Sequence, residues 1–192
     1  MSGLRIVEVL GELRTVIRRR RKPTAAHDAF AAASTDTGFE WVDVEVEDLA
    51  SVLLRFDNGA TGNLAVGQVC AGHKNDLRLE ICGELTSLAW RQEQQNELWI
   101  GRRHEANSIL AKDPSLMTAD TRGYARLPGG HQEGWADAFF TVMRDIYECI
   151  AHTPREKAQP TMFATFEDGH RAACVVEAIL KSAKAGGVWM AV

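Results

Sequence analysis

One segment of this chain carries more structural information than any other: LPGGHQEGWADAFF, residues 127–140. Its first half is a glycine-rich turn that contains His131. Its second half begins a run of apolar residues at helical spacing that continues to Ile150. Glycines remove side chains and permit backbone angles that other residues avoid, so they suit a place where another group approaches the backbone closely. The segment therefore predicts a turn with an accessible histidine, followed directly by an amphipathic helix.

A second helix is predicted further along the chain. Thr165 and Asp168 are spaced as in a helix cap, and apolar residues then share one face from Ala172 to Ala183. Gly186-Gly187 predicts the end of this helix, and residues 188–192 predict a closing strand.

The rest of the chain is rich in strand patterns, in which apolar and polar residues alternate. Asp57-Asn58-Gly59 is a strong hairpin signal, because Asn-Gly tolerates the positive φ angles of a tight turn. Residues 102–126 show little periodicity. Hairpin-linked strands followed by helices predict an α+β fold, a largely antiparallel open sheet with the helices on one face. The predicted strands cover residues 4–17, 51–56, 60–70, 77–81, 87–90 and 96–101.

The composition limits the class of protein. The chain has 192 residues, 45% hydrophobic and 25% charged, which suits a single soluble domain over residues 1–192. A net charge of −4 argues against nucleic-acid binding, and no apolar run is long enough to cross a membrane. The four cysteines are far apart, and neither they nor the histidines show the spacing of a metal site. Because no signal peptide opens the chain, we expect a cytoplasmic protein.

A basic run, Arg18–Lys22, precedes a stretch rich in Ala, Ser and Thr. We expect residues 18–41 to form a long loop. Two interpretations of the basic run stay open. It is either a solvated part of that loop, or a patch that binds an anion or docks a partner.

Three segments, taken in order, resemble a known family. They are the hairpin FDNGATGNL at residues 56–64, the turn and helix start at residues 127–140, and the helix start FATFEDGHRA at residues 163–172. In this order they resemble the C-terminal half of the Gfo/Idh/MocA oxidoreductases, from about Ile6 to the end of the chain. The resemblance implies the open-sheet fold of glyceraldehyde-3-phosphate dehydrogenase-like C-terminal domains. It also implies a full-length NAD- or NADP-dependent dehydrogenase that acts on CH–OH groups of a sugar or polyol.

The family's cofactor and catalytic motifs are absent from the sequence. No G-x-G-x-x-G turn is present to bring backbone amides against a pyrophosphate, and no Asp-x-x-x-His pair occurs. Glu156-Lys157-Ala158 is a near miss to the family's Glu-Lys-Pro motif, but it lies between the two predicted helices, where an exposed loop is expected. We therefore expect the nucleotide-binding domain to be missing and the chain to begin just after the family's Asp-x-x-x-His helix. We expect this chain to contain no catalytic residue, cofactor site or metal site.

Four residues are candidates for substrate binding: His131, Gln68, Lys74 and Asn75. His131 can bond a substrate hydroxyl or exchange a proton near neutral pH. The alternative is that it caps the helix or packs beside Trp135. The other three follow the third predicted strand, in a Gln-x-x-x-Gly-x-Lys-Asn pattern that is common in the resembling proteins. Lys74 and Asn75 could hold a sugar hydroxyl or a phosphate; alternatively, Lys74 is an edge-strand lysine that discourages aggregation.

Two functions from different classes follow. The first is the substrate-binding and oligomerisation domain of a Gfo/Idh/MocA-type oxidoreductase for a sugar or polyol, inactive alone and partnered by the missing nucleotide-binding domain. The alternative is a stand-alone, non-catalytic module that dimerises through its sheet or binds a small ligand. Either function predicts a homo-oligomer, because several strands are partly apolar on both faces and the helices can cover only one face of the sheet.

Overall fold

The hairpin-linked strands and the two long helices lie where their sequence patterns predict them, and the α+β class is confirmed. A computed structural model describes residues 3–24, 38–152 and 162–192, so the near-miss motif at 156–158 lies outside the described residues. The elements are β1 (Ile6–Arg14), β2 (Arg19–Pro23), β3 (Phe39–Asp43), β4 (Leu49–Phe56), β5 (Thr61–Gly67), β6 (Arg78–Cys82), β7 (Thr86–Arg91), β8 (Glu97–Arg102), β9 (Ser108–Ala111), α1 (Ala119–Arg122), α2 (Trp135–His152), α3 (Phe166–Lys184) and β10 (Met190–Ala191). The chain divides into two compact units: Met1–Ala71 with Phe166–Val192, and Gly72–Thr165.

The first unit is built on an antiparallel sheet with the strand order β10-β1-β4-β5. The predicted hairpin joins β4 to β5, and Gly59 in its turn has a φ angle of +87°. Helix α3 contacts β1 and covers one face of this sheet. The buried core between helix and sheet consists of Val9, Val52 and Ala178.

Two small residues bring α3 close to β1. A Cβ atom on Gly11 would lie 2.9 Å from Cγ2 of Ile179, so a larger residue there would push the helix away. Ser182 is fully buried, and its hydroxyl accepts a hydrogen bond from the Gly11 amide (2.9 Å) and donates one to the Val188 carbonyl (2.5 Å). One side chain therefore joins β1, α3 and the segment that leads to β10.

The predicted loop over residues 18–41 is wrong at both of its ends. Strands β2 and β3 pair as an antiparallel two-stranded ribbon, with Arg21 opposite Trp41 and Arg19 opposite Asp43. A strand made of arginines and a lysine shows no alternation of apolar and polar residues, so the sequence gives no strand signal there. Residues 25–37 of the predicted loop lie outside the described residues.

Asp48 fixes the base of this ribbon within the first unit. Its buried carboxylate accepts hydrogen bonds from the amides of Val16 (2.7 Å) and Ile17 (3.0 Å), and it also lies 3.4 Å from the Arg20 guanidinium. The two backbone hydrogen bonds, with help from Arg20, lower the pKa of Asp48 below its usual range.

The second unit contains an antiparallel sheet with the strand order β6-β7-β8-β9. Leu79 lies opposite Trp90, and Leu98 lies opposite Leu110, so large apolar side chains meet across the strands. The prediction of irregular structure over residues 102–126 is wrong where β9, a 3-10 turn and α1 occur. These elements have four residues or fewer, which is too short for a periodic pattern to show.

Helix α2 contacts the segment that precedes it in the second unit through one polar and one aromatic side chain. Arg144 donates a hydrogen bond to the Gly123 carbonyl (2.8 Å), and the guanidinium of Arg126 lies 3.8 Å from the ring centroid of Phe140. These contacts place the start of α2, and with it the glycine-rich turn. No described helix is both long and apolar enough to cross a membrane.

Candidate functional site

The glycine-rich turn before α2 has its shape fixed by its own backbone. Gly130 has a φ angle of +79°, and the His131 amide donates a hydrogen bond to the Pro128 carbonyl (3.2 Å). A Cβ atom on Gly129 would lie 2.7 Å from the Asp113 carboxylate. Gly130 is therefore needed for its backbone angle and Gly129 for the close approach of Asp113.

Asn96, just before β8, anchors the turn to the sheet of the second unit. Its side-chain nitrogen donates to Oε1 of Gln132 (2.9 Å) and to the Glu133 carbonyl (2.8 Å), and its side-chain oxygen accepts from the Glu133 amide (3.1 Å). Gln95 donates a further hydrogen bond to the Glu133 carbonyl (2.9 Å). Two amide side chains therefore hold a segment that lies 37 positions away in the sequence.

A largely buried ion pair lies beside these hydrogen bonds. Nζ of Lys112 is 3.2 Å from Oε2 of Glu133, and the two side chains are 14% and 11% exposed. Oε1 of Glu133 accepts hydrogen bonds from the amides of Arg126 (2.5 Å) and Leu127 (2.6 Å), and Lys112 also donates to the Leu127 carbonyl (3.0 Å). An ammonium group has three donors, and the described residues supply partners for two of those of Lys112.

The start of α2 is capped by Asp137. Its Oδ2 accepts a hydrogen bond from the Gly134 amide (3.0 Å), and its Oδ1 lies 3.2 Å from the Arg126 guanidinium. A carboxylate in the first turn also suits the positive end of the helix dipole. The cap is thus made by Asp137, and this leaves the imidazole of His131 outside the capping hydrogen bonds.

His131 is exposed and lines a cavity of about 240 Å³ together with Asn96 and Lys112. Its Nδ1 atom is 3.3 Å from the Gly129 carbonyl oxygen, so Nδ1 is the donor and Nε2 is left as an acceptor in the neutral ring. An accessible imidazole with one nitrogen held in this way can accept a hydrogen bond from a ligand hydroxyl through the other nitrogen.

A larger cavity, of about 560 Å³, also has Asn96 and Lys112 in its wall. This volume is typical of small-molecule sites. Its aromatic lining comes from Trp90, Tyr124 and Trp135. Both cavities belong to the second unit. They share Asn96 and Lys112 in their walls, so the cavity beside His131 adjoins the one with the aromatic wall.

The polar groups of the larger cavity are held in defined orientations. The indole nitrogen of Trp90 donates a hydrogen bond to the Gln95 carbonyl (3.0 Å), which fixes the ring. Burial, together with the nearby carboxylate of Asp145, raises the pKa of Tyr124, so its hydroxyl stays protonated at neutral pH. Aromatic faces beside amide, ammonium and carboxylate groups suit a ligand that has both C–H faces and hydroxyl groups.

The other predicted site residues lie elsewhere. Lys74 and Asn75 are exposed in the second unit, between its first residue and β6, and neither lines the two cavities described above. Gln68 is exposed in the first unit, where its backbone N–H donates a hydrogen bond to the backbone carbonyl of Asp48 (2.9 Å). A binding role for these three residues stays a prediction.

The residue after Asn75 is the centre of a charged cluster. The side chain of Asp76 is 4% exposed, and its Oδ2 accepts hydrogen bonds from Nε of Arg78 (2.9 Å) and Nδ1 of His73 (2.7 Å). The guanidinium of Arg91 lies 3.7 Å from the same oxygen. The hydrogen bond from Arg78, followed by that from His73, lowers the pKa of Asp76 to about 2. The segment that carries Lys74 and Asn75 is therefore held to the sheet by an ion-pair network.

Several of the residues that build the site were not singled out in the sequence. Asn96 and Lys112 lie in segments without a motif, and Glu133 lies in the glycine-rich segment but looks like an ordinary surface acid. The only sequence signal was the clustering of glycines around His131. Among the described residues, no group of three or more His, Cys, Asp or Glu side chains could hold a metal ion.

Known proteins with similar sequences share this architecture. A family model described as "Oxidoreductase family, C-terminal alpha/beta domain" matches residues 9–192. The uncharacterized oxidoreductase YfiI of Bacillus subtilis is 25% identical over 148 residues, which cover 76% of this chain and 38% of that protein. Levoglucosan dehydrogenase of Pseudarthrobacter phenanthrenivorans is 23% identical over 154 residues, which cover 73% of this chain and 35% of that protein.

A solved structure has the same fold. It is an inositol dehydrogenase homolog from Azotobacter vinelandii, complexed with NADH and myo-inositol, with a TM-score of 0.73 and 19% identity. The match covers 100% of this chain and 45% of that one, so the chain spans less than half the length of the relatives named here. Because the family model covers nearly the whole chain, this protein belongs to the Gfo/Idh/MocA oxidoreductase family, of which it carries the C-terminal α/β domain.

Proposed function

We propose that this chain is the substrate-binding and oligomerisation domain of a cytoplasmic, NAD(P)-dependent dehydrogenase that acts on a sugar or polyol. The observation that carries the proposal is the pair of cavities that share Lys112 and Asn96, one with an accessible imidazole and one with an aromatic wall. The names of the relatives support the substrate class, since they include a levoglucosan dehydrogenase and an inositol dehydrogenase homolog.

The proposed role of the chain is to bind and orient the substrate. The third N–H of Lys112 and Nε2 of His131 are a donor and an acceptor for neighbouring hydroxyl groups, and the rings of Trp90 and Trp135 contact the C–H faces. The larger cavity can admit a monosaccharide-sized ligand, since its volume is within the range of small-molecule sites.

The nicotinamide cofactor is assigned to a nucleotide-binding domain outside this chain. The sequence has no glycine-rich turn for a pyrophosphate, so its own residues do not fit a dinucleotide. The Azotobacter relative, complexed with NADH, supports NAD as the cofactor of a full-length enzyme. No hydride transfer is expected from the isolated chain.

The open face of the first unit's sheet is the proposed dimer interface. Leu10 and Leu53 lie opposite each other on this face, and Leu53 is 49% exposed. The ion pair of Arg55 with Glu8 (2.9 Å) flanks them. Pairing of two such faces about a two-fold axis would bury the leucines, and an obligate interface would occlude about 2,000 Å² or more. Light scattering at micromolar concentration tests this, and a monomer mass contradicts it.

Calorimetry on the isolated chain tests the proposed function. We expect a saturable heat of binding for myo-inositol or levoglucosan, and none for NAD or NADP at micromolar concentration. Saturable dinucleotide binding, or oxidation of any polyol by the chain alone, would overturn the assignment of the cofactor to another domain. Dimerisation without binding of any polyol would favour a non-catalytic dimerisation module instead.

A further inference from the structure

The ribbon formed by β2 and β3 has two different faces. On one face, the guanidinium of Arg21 lies 4.5 Å from the ring centroid of Phe39 and 5.5 Å from that of Trp41. Arg19 lies 5.7 Å from the Trp41 ring, and the two aromatic rings meet edge to face. We call this set of four residues the arginine–aromatic face. The opposite face holds Lys22 and its strand partner Glu40, among other residues.

The arginine–aromatic face is exposed to solvent. Phe39 is 44% exposed and Trp41 is 50% exposed, although these are the two largest apolar side chains of the ribbon. A two-stranded ribbon is only marginally stable by itself and normally packs against something else. Arginine and tryptophan are also the residues that most often dominate the energy of protein–protein interfaces.

Within the described part of the chain, three of the four basic side chains of β2 have a carboxylate partner. Arg19 pairs with Asp43 (3.2 Å), Arg20 with Asp48 (3.4 Å) and Lys22 with Glu40 (2.9 Å). Arg21 stacks on aromatic rings, and no carboxylate of the described residues lies within ion-pair distance of it. Its stacking on Phe39 and Trp41 uses the face of the guanidinium, and its edge carries no ion pair to residues 3–24, 38–152 or 162–192, so the edge is the part that suits an incoming carboxylate.

The rest of the chain has the opposite charge. The protein has 22 Lys and Arg and 26 Asp and Glu, and five of the basic residues form the run Arg18–Lys22. The remaining 17 basic and 26 acidic residues give a net charge of −9 outside the run. A second copy of this chain is therefore an acidic partner for the ribbon, and it is present at the same concentration.

We propose that the arginine–aromatic face of the ribbon docks on an acidic surface of a second copy of this chain, with Arg21 and Trp41 as the principal contacts. This contact is separate from the sheet face that contains Leu53, so it does not depend on the proposed dimer. A ribbon of two five-residue strands buries little area, so the contact is expected to be weak, dependent on protein concentration, and weakened by salt.

The test compares matched substitutions on the two faces of the ribbon. Arg21→Gln and Trp41→Ala change the arginine–aromatic face, and Lys22→Gln removes the same charge from the other face. The mass of each variant is measured by light scattering over a range of protein and salt concentrations, with circular dichroism to verify folding. Arg21→Gln and Trp41→Ala should each raise the dissociation concentration of the assembly at least about tenfold, as for interface residues of high energy. Lys22→Gln should leave it within about twofold, since exposed charges contribute little.

A fourth variant, Leu53→Asp, separates this proposal from that of the sheet dimer. If both contacts form, the wild type is a tetramer, Arg21→Gln and Leu53→Asp each give dimers, and the double variant is a monomer. If only the ribbon contact forms, the wild type is a dimer, Arg21→Gln is a monomer, and Leu53→Asp changes nothing. The proposal is overturned if Arg21→Gln and Trp41→Ala keep the wild-type mass at every concentration. It is also overturned if both variants keep the wild-type mass but bind a polyanion column less tightly than the wild type. The ribbon would then be a site for anions and not for a second copy of the chain.

Discussion

At the residue scale, the site depends on a few side chains that each make several contacts. Glu133 accepts two backbone hydrogen bonds with one oxygen and pairs with Lys112 through the other, and Asn96 makes three hydrogen bonds to the same turn. Among the described residues, the imidazole of His131 makes one long hydrogen bond, to a carbonyl of its own turn. The contacts that hold the turn in place are therefore made by Glu133, Lys112 and Asn96. The imidazole of His131 is not needed for them and is available to a ligand.

The ion pair of Lys112 and Glu133 should be important for the stability of the second unit. Glu133→Gln keeps the shape of the side chain but leaves Lys112 as a largely buried charge without a counter-ion. We expect a loss of about 1–3 kcal/mol in the free energy of unfolding, measured by denaturant titration. Lys112→Met in the Glu133→Gln background should recover part of this loss. If the loss of stability in the double variant equals the sum of the losses in Glu133→Gln and Lys112→Met alone, the two side chains do not interact.

His131 should affect binding and not folding. His131→Ala removes an exposed ring that has no capping role, so the melting temperature should stay within about 1–2 °C, as for most surface substitutions. The affinity for a polyol should fall about tenfold, equivalent to one hydrogen bond of about 1.4 kcal/mol. His104→Ala, at another exposed histidine of the same unit, is the matched control. A melting temperature that falls together with unchanged affinity would identify a structural role.

Asp76 should make the second unit sensitive to acid. Its pKa is about 2 in the folded chain, below the ordinary value of 3.8, so the folded state binds the proton more weakly than the unfolded state. The stabilising contribution of Asp76 is therefore complete above about pH 4 and is lost as the pH falls towards about 2. Melting temperatures measured between these limits should fall less steeply in Asp76→Asn than in the wild type. Asp120→Asn, at an exposed carboxyl, should follow the wild-type curve.

At the scale of elements, the first unit is held by the close contact of α3 with β1. Gly11 permits that contact, and Ser182 uses its hydroxyl to satisfy an amide of β1 and a carbonyl beyond the helix. Glycine and serine are small residues that do not count as apolar, so a periodic pattern of apolar residues does not mark these two positions. They nevertheless determine how near the helix lies to the sheet.

Ser182→Ala tests the importance of this contact. The substitution leaves the Gly11 amide and the Val188 carbonyl without their partner in a buried position, which costs about 1–3 kcal/mol in the free energy of unfolding. Denaturant unfolding followed by circular dichroism measures the change. Ser51→Ala, at an exposed serine on β4, is the control and should change the stability by less than about 0.5 kcal/mol. If Ser182→Ala changed the free energy of unfolding as little as Ser51→Ala does, the hydroxyl of Ser182 would not be important for the contact of α3 with β1.

The sequence predicts elements well where the local pattern and the final packing agree. The β4–β5 hairpin has both an Asn-Gly turn and alternating strands, and α3 has a cap, one apolar face and terminal glycines. The ribbon could not be predicted because its pairing depends on arginines that lie against aromatic rings 18 to 22 positions away, which no periodic pattern shows. Lys112 and Asn96 were missed for the same reason, since their partners in the turn are 15 to 37 positions away in the sequence. His131 could be predicted because the glycines that expose it are its neighbours.

At the scale of the whole molecule, the proposed substrate site lies in a chain whose sequence has no glycine-rich turn for a pyrophosphate. The chain spans 38% and 35% of the two curated relatives named above, and the fold that it shares with the Azotobacter inositol dehydrogenase homolog covers 45% of that chain. The central claim is that the two cavities around Lys112 form the substrate site of a sugar or polyol dehydrogenase. The parts of the relatives outside this match are where we place the nucleotide-binding function.

The most direct test is a map of amide chemical shifts by nuclear magnetic resonance, as the isolated chain is titrated with myo-inositol or levoglucosan. We predict saturable shifts at residues 129–134, Asn96 and Lys112, together with the indole signals of Trp90 and Trp135. In His131→Ala the same shifts should saturate at a polyol concentration about tenfold higher. NAD or NADP should cause no saturable shifts. Polyol-induced shifts confined to residues outside these cavities, or no saturable shift at millimolar polyol concentration, would contradict the account.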